Sequence, residues 1–182
     1  MKKIFYLATA LLCAFVTSCS KDEIGGTATE ATAGNWYVTV DAADENGNVY
    51  IDGDGDAWYD PFGKGRITML TYNTAKNDPT EMIVEDIGNF WEFKVKVKCD
   101  QNARTFETTT TENNNMVAGY EDINVTITGG KIMPKAGHQN NGSPADSIVF
   151  YVTFSDDPNP AKYGYAKYKV SGVRYSGLVE ND

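Results

Sequence analysis

The sequence predicts an all-β domain of eight or nine short antiparallel strands closed into a barrel, with a β-sandwich as the alternative. Residues 91–98 alternate apolar side chains with charged ones, three of which are lysines, and this is typical of a strand with one dry and one wet face. Turn residues such as Asn46-Gly47 and Gly142-Ser143-Pro144 separate the strand-like runs. No long stretch has helical periodicity, and we expect at most one short helix, near residues 73–78 or 113–118.

The remaining runs with a period of two are also predicted to be strands: residues 36–40, 67–72, 123–128, 148–154 and 163–175, with weaker candidates at 49–51, 81–85 and 104–110. The last two strong runs favour a barrel over a sandwich. Residues 148–154 are apolar on both faces, and residues 163–175 carry tyrosines on both faces. Long strands of this kind suit a closed sheet, which leaves no free edge.

The N-terminal residues have the pattern of a bacterial lipoprotein signal. Lys2 and Lys3 precede an apolar run over residues 4–16, which is too short to span a bilayer. Residues 16–19, Val-Thr-Ser-Cys, resemble a lipobox, in which the cysteine takes a diacylglycerol and becomes the first residue of the mature chain. We expect a signal peptide over residues 1–18 and lipidation of Cys19. The alternatives are an ordinary signal peptide with an incidental cysteine and a transmembrane anchor.

The residues after Cys19 indicate where the protein is sent and how it is held. Ser20 is not the aspartate that retains many lipoproteins in the inner membrane, and residues 20–23 resemble a surface-export signal. We expect a protein anchored in the outer membrane, facing the periplasm or the cell surface. Residues 19–33 are small and polar, and predict a lipidated flexible tether before a barrel domain over residues 34–182.

The charge argues against a nucleic-acid partner, and the cysteine content argues against an internal disulfide. The whole chain has a net charge of −9, and loss of a signal peptide with two lysines and no acidic residue takes it to −11. Such a protein repels nucleic acid, so no nucleic-acid partner is expected. Cys13 leaves with the signal peptide and Cys19 is acylated, so Cys99 has no partner for a disulfide.

Several stretches resemble the lipid-binding putative hydrolase family of bacterial lipoproteins: residues 34–38, 60–63, 71–74, 89–95, 144–150 and 163–172. The resemblance spans nearly the whole mature domain and implies a compact lipocalin-like barrel. True lipocalins open their first strand with Gly-x-Trp, as Gly34-Asn35-Trp36 does here. They also lay a late-strand arginine over that tryptophan, which predicts that Arg174 stacks on Trp36. The alternative is that Arg174 points to solvent or pairs with Glu180.

Aromatic content supports a binding function. We expect the barrel to bind a small apolar or amphipathic ligand, because such pockets have apolar walls and few polar groups. The alternative is that the same side chains fill the barrel completely. The residues expected to contact the ligand are Trp36, Trp91, Phe93, Phe150, Phe154, Tyr165 and Tyr168, with Trp58 as a further candidate wall residue.

Catalytic and metal-binding motifs are weak. The mature chain has one histidine, His138, with Ser143, Asp146 and Ser147 close behind it, but no Gly-x-Ser-x-Gly elbow. The acidic run over residues 52–56 departs from an EF-hand loop at its sixth and twelfth positions, which leaves only an irregular oxygen site as an alternative to a flexible hairpin. We expect no catalytic residues, no metal and no cofactor. The alternatives are a hydrolase of lipids or esters and a non-catalytic accessory protein of a surface complex.

Overall fold

The computed structural model describes residues 26–181, and within them eight antiparallel strands form a closed barrel in chain order. The strands are β1 Gly34–Ala43, β2 Ile67–Asn73, β3 Glu81–Asp86, β4 Lys94–Asp100, β5 Thr105–Glu107, β6 Val125–His138, β7 Pro144–Phe154 and β8 Lys167–Arg174. A short helix, α1 (Asn159–Tyr163), precedes β8, and a 3₁₀ turn spans Val179–Asn181. The predicted all-β barrel is therefore confirmed. The predicted signal peptide and Cys19, the predicted lipidation site, lie outside the described residues.

The barrel closes because β1 pairs with both β2 and β8. Each strand turns one row of apolar residues inward, and β4 shows the predicted alternation. Val95 and Val97 are buried while Lys96 and Lys98 are exposed. Phe93, just before β4, is also buried, and Trp91 is half-buried. The hydrophobic effect thus selects the register of the strand, since a slip of one residue would bury the lysines.

The two ends of the barrel differ in their connections. The connections at one end, which we call the aromatic end, are long and cover residues 44–66, 87–93, 108–124 and 155–166. At the other end, the terminal end, the turns are short and the N-terminal and C-terminal segments pack beside them. The aromatic end therefore has the greater length of chain from which a binding site can be built.

Several predicted elements differ from the structure. β6 continues past the predicted stretch 123–128, because Gly129 and Gly130 form a bulge with a register shift instead of a turn. Gly129 has a φ of 60°, which glycine adopts without strain. The predicted long strand 163–175 is shorter, since Tyr163 ends α1 and β8 begins at Lys167. The helix thus lies outside both segments that were expected to contain one. Pro160 is in its first turn, a position that suits proline.

Residues 26–33 pack against the barrel. Thr29 and Thr32 are fully buried, and the carbonyl of Thr32 accepts a 2.7 Å hydrogen bond from the Thr71 hydroxyl in β2. The Ala28 amide donates to Asn77 in the β2–β3 turn. Residues 26–33 of the predicted tether are therefore packed on the terminal end. Within residues 26–181 no helix has the length and apolar character needed to cross a membrane.

Candidate functional site: an aromatic cluster at one end of the barrel

The aromatic end holds a continuous cluster of rings. Trp91 stacks on Phe154 with ring centres 5.0 Å apart and planes 15° apart. Phe154 also contacts Phe93 at 5.5 Å and Tyr168 at 6.3 Å. Such aromatic pairs contribute about 0.5–1.5 kcal/mol beyond the area they bury. The cluster thus forms one apolar body that reaches from the interior to the surface.

Two half-buried phenylalanines cap this cluster. Phe62, from the β1–β2 connection, lies 5.6 Å from Phe90, from the β3–β4 connection. Both rings contact Tyr168 on β8, at 5.1 Å and 6.3 Å. Because the two phenylalanines come from loops, they close the mouth of the barrel without belonging to its wall. We call Phe62, Phe90 and Trp91 the plug.

The loop that carries Phe90 and Trp91 is fixed by one carboxylate. Asp86, at the end of β3, is 1% exposed and accepts hydrogen bonds from four successive backbone amides, those of residues 89–92. The distances from these amide nitrogens to the carboxylate oxygens are 2.8–3.1 Å. A buried carboxylate is stable only with such donors. Asp86 therefore holds the loop as a unit, with Glu92 at a positive φ of 55°.

A hydrogen-bonded pair of tyrosines lines the side of the cluster. The hydroxyls of Tyr165 and Tyr168 are 2.5 Å apart, and Tyr168 donates to a carboxylate oxygen of Asp157 at 2.5 Å. Burial raises the pKa of Tyr165 to about 12. Burial, followed by the hydrogen bond to Asp157, raises the pKa of Tyr168 as well. Both phenols therefore stay protonated near neutral pH and supply the few polar atoms of a largely apolar region.

The structure brings five of the seven predicted ligand residues together here. The five share ring contacts at the aromatic end and are Trp91, Phe93, Phe154, Tyr165 and Tyr168. The other two lie elsewhere. Phe150 packs on Phe106 at 5.7 Å, and Trp36 lies beneath Arg174 near the start of β1. Six of the seven are at most 7% exposed, and Trp91 is half-buried. Contact with a ligand remains a prediction for all seven.

Two surface cavities lie at the aromatic end. One, of about 320 Å³, has Phe90 and Trp91 of the plug in its wall, together with Tyr120, Ile123 and Lys64. The other, of about 350 Å³, is lined by Tyr50, Asp52, Trp58, Lys162 and Tyr163. Trp58, the further candidate wall residue, therefore lines a separate cavity, although it contacts Tyr165 at 5.3 Å. Both cavities open on the surface beside the aromatic cluster.

The residues considered for catalysis lie at the other end of the molecule. His138 ends β6 at the terminal end, is exposed, and makes no side-chain hydrogen bond or ion pair within residues 26–181. Asp146 instead accepts from the Lys135 amide at 3.0 Å and lies 3.4 Å from Arg174 Nε. A triad of His138 with Asp146 and a nearby serine is therefore not assembled in this part of the chain.

The acidic hairpin and the cysteine have structural explanations. Oδ1 of Asp52 accepts from the amides of Asp54 and Asp56 at 3.0 Å each, which closes the hairpin tip. No group of three or more His, Cys, Asp or Glu side chains in the described chain is placed to hold a metal ion. Cys99 is a buried free thiol, and burial raises its pKa. A thiol in that state is a poor nucleophile.

Sequence patterns alone missed Phe62, Phe90 and Asp86 as parts of the site. None of the three belongs to a run whose strand periodicity could show which way its side chain points. Phe62 and Phe90 do fall within residues 60–63 and 89–95, which carry the family resemblance. That resemblance was the available signal. A carboxylate that accepts hydrogen bonds from four backbone amides of the next loop has no comparable sequence signature.

The fold and the aromatic mouth together define a class, the small closed β-barrels of lipocalin-like architecture. The family model described as lipid-binding putative hydrolase matches residues 21–179. The chain belongs to that family, as its sequence resemblance indicated. No curated protein is similar enough to the chain to count as a match.

Proposed function

We propose that this protein is an outer-membrane lipoprotein whose barrel binds a small apolar or amphipathic ligand at the aromatic end. The observation that carries the proposal is the ring cluster that runs from buried Phe93 and Phe154 to the half-buried plug. Apolar surface at a barrel mouth that ends in loop-borne rings can exchange ring–ring contacts for ring–ligand contacts. The family's description as lipid-binding agrees with this chemistry.

The ligand's apolar part takes the place of the plug. Below Phe62 and Phe90 the rings of Phe93, Phe154 and Tyr168 are packed against them, so the proposal puts the ligand's chain where the plug rings now lie. Removal of one plug ring should leave an apolar space of the kind that accepts hydrocarbon ligands. A larger ring at the same position should obstruct it. Affinity should therefore depend on the size of residue 90.

This dependence gives a direct test with a single-chain fluorescent fatty acid titrated into purified residues 20–182. Phe90→Ala should bind at least several-fold more tightly than the parent protein, and Phe90→Trp several-fold more weakly. Leu178→Ala, at an exposed apolar position on the terminal end, serves as the control and should leave the affinity unchanged. Equal affinities of all four proteins would show that the ligand does not use the aromatic end.

The anchor part of the proposal rests on the lipobox spacing of residues 16–19. Two or three acyl chains on one cysteine hold a protein in a membrane effectively permanently. Cells fed radiolabelled palmitate should label the parent protein, and Cys19→Ala should abolish the label. Cys13→Ala is the matched control and should keep it. A Cys19→Ala protein that still carries the label would refute lipidation at this site.

The packing of residues 26–33 supports one orientation of the barrel relative to the anchoring membrane. Ala28 is held on the terminal end, and the nine-residue stretch from Cys19 spans at most about 30 Å when fully extended. The terminal end should therefore face the anchoring membrane, with the aromatic end directed away. Nitroxide lipids should quench a fluorophore at Lys76→Cys more strongly than one at Asp54→Cys. The reverse order would contradict this orientation.

A further inference from the structure

A second feature of the aromatic end is a pocket with aromatic walls and one charge of each sign. It is the cavity of about 350 Å³ described above, and we call it the hairpin pocket. Its aromatic walls are Tyr50, Trp58 and Tyr163. Trp58 meets Tyr163 edge-on at 4.9 Å with planes 76° apart, and Tyr50 at 6.2 Å with planes 59° apart. Rings set at steep angles present their faces in different directions around the cavity.

The backbone fixes the positions of these walls. The Tyr50 amide donates to the Ala42 carbonyl at the end of β1, and the Trp58 amide donates to the Tyr50 carbonyl, each at 2.8 Å. Tyr163 is the last residue of α1, which ends at Gly164 with a φ of 82°. The pocket is thus built from three separate segments, each held by main-chain hydrogen bonds.

The charges at its rim are available to a ligand. Asp52 uses Oδ1 for the hairpin amides, and within residues 26–181 its Oδ2 has no hydrogen-bond partner. The Lys162 ammonium lies 4.7 Å from the centre of the Tyr163 ring and has no carboxylate within ion-pair distance in the same residues. The Lys162 contact also shows that an ammonium group is accommodated on an aromatic face here.

A chain of ring contacts connects the walls of the pocket to the proposed lipid site. Trp58 and Tyr50 contact Tyr165 at 5.3 Å and 6.3 Å, and Tyr165 contacts Tyr168 at 5.2 Å. Tyr168 in turn contacts Phe62 of the plug. Two tyrosines therefore lie between the hairpin pocket and the plug. One amphiphile could place its headgroup in the pocket and the first part of its chain at the plug.

We infer that the hairpin pocket binds the zwitterionic phospho-ammonium group of an amphiphile whose chain lies at the plug. The inference rests on the proposed function and adds the chemistry of the headgroup. The aromatic walls and the Asp52 carboxylate receive the ammonium, as aromatic cages do for quaternary ammonium groups. The Lys162 ammonium receives the phosphate as a point charge. An anionic lipid without an ammonium group satisfies only the lysine.

The test compares single-chain phospholipids of equal chain length below their critical micelle concentrations, by calorimetric titration of residues 20–182. Lysophosphatidylcholine and lysophosphatidylethanolamine should bind about tenfold more tightly than lysophosphatidylglycerol. Asp52→Asn should remove most of that preference, whereas Lys162→Gln should weaken the binding of all three lysolipids. Lys76→Gln, at the terminal end, is the matched control and should keep both the preference and the affinities.

A tailless headgroup distinguishes the lipid from a free solute. Glycerophosphocholine at millimolar concentration should shift the Trp58 indole signal in an NMR titration of the parent protein and not of Lys162→Gln. Equal binding of zwitterionic and anionic lysolipids would overturn the headgroup inference and leave lipid binding intact. Failure of every lysolipid, with glycerophosphocholine still bound at Trp58, would support the pocket's chemistry and overturn the proposed lipid site instead.

Discussion

The guanidinium of Arg174, on the last strand, lies 4.6 Å from the centre of the Trp36 ring on the first strand. The two residues are direct partners in the β1–β8 pairing that closes the barrel. Arg174 also donates a 2.7 Å hydrogen bond to the Ala33 carbonyl and lies 3.4 Å from Asp146. The predicted stacking is therefore confirmed, and the charged group on the inward side of β8 is compensated from three directions.

This arrangement predicts that Arg174→Ala lowers the free energy of unfolding by about 2–4 kcal/mol, from loss of the cation–π contact and of a charged hydrogen bond. Arg174→Lys should lose less, because a lysine retains the charge without the planar fork. Urea denaturation followed by tryptophan fluorescence measures both. A loss below about 0.5 kcal/mol for the alanine variant would mean that the stacking does not stabilise the closure.

Gly34 leaves room for this stacking. A Cβ atom at position 34 would lie 2.8 Å from Arg174 Nη1 and 2.9 Å from two atoms of the Trp36 indole, closer than real contacts allow. Gly34→Ala should therefore destabilise the fold by about 1–3 kcal/mol through overpacking. Gly53→Ala is the control, since a Cβ there meets nothing within 4 Å. Comparable stability of the two variants in thermal unfolding would show that the space is not needed.

Phe93 should be among the most costly core residues to truncate. It is fully buried between Phe90 and Phe154, so Phe93→Ala should cost about 3–5 kcal/mol of stability. Lys98→Ala, on the outer face of β4, should change the free energy of unfolding by less than about 0.5 kcal/mol. Chemical denaturation of the two variants side by side makes the comparison. A loss of stability under about 1 kcal/mol for Phe93→Ala would mean that Phe93 borders an open cavity and is not a packed core residue.

The tyrosine pair should make the fold sensitive to high pH. Burial raises the pKa of Tyr165 to about 12, above the value of about 10 for an unfolded tyrosine. As pH rises from 10 towards 12 the unfolded chain releases this proton first, so stability present below pH 10 is progressively lost. Unfolding free energies measured at pH 8, 10 and 11 should decline.

The decline should be shallower in Tyr165→Phe, which has no proton to release at this position. Tyr59→Phe removes a phenol that is 65% exposed, and serves as the matched control with an unchanged slope. Parallel pH dependence in all three proteins would show that the Tyr165 phenol does not couple to unfolding.

Sequence by itself determined the strands and their inward faces, because period-two alternation such as Val95 and Val97 against Lys96 and Lys98 leaves only one register that buries the apolar face. It favoured a barrel over a sandwich, and the β1–β8 pairing closes that barrel. The Gly-x-Trp resemblance to true lipocalins added the Arg174–Trp36 contact. Only the tertiary structure decided which aromatic residues meet. Phe62 and Phe90 come from loops with no periodicity, and four backbone amides converge on Asp86. Loop residues are placed by contacts between segments distant in the chain, which local patterns do not encode.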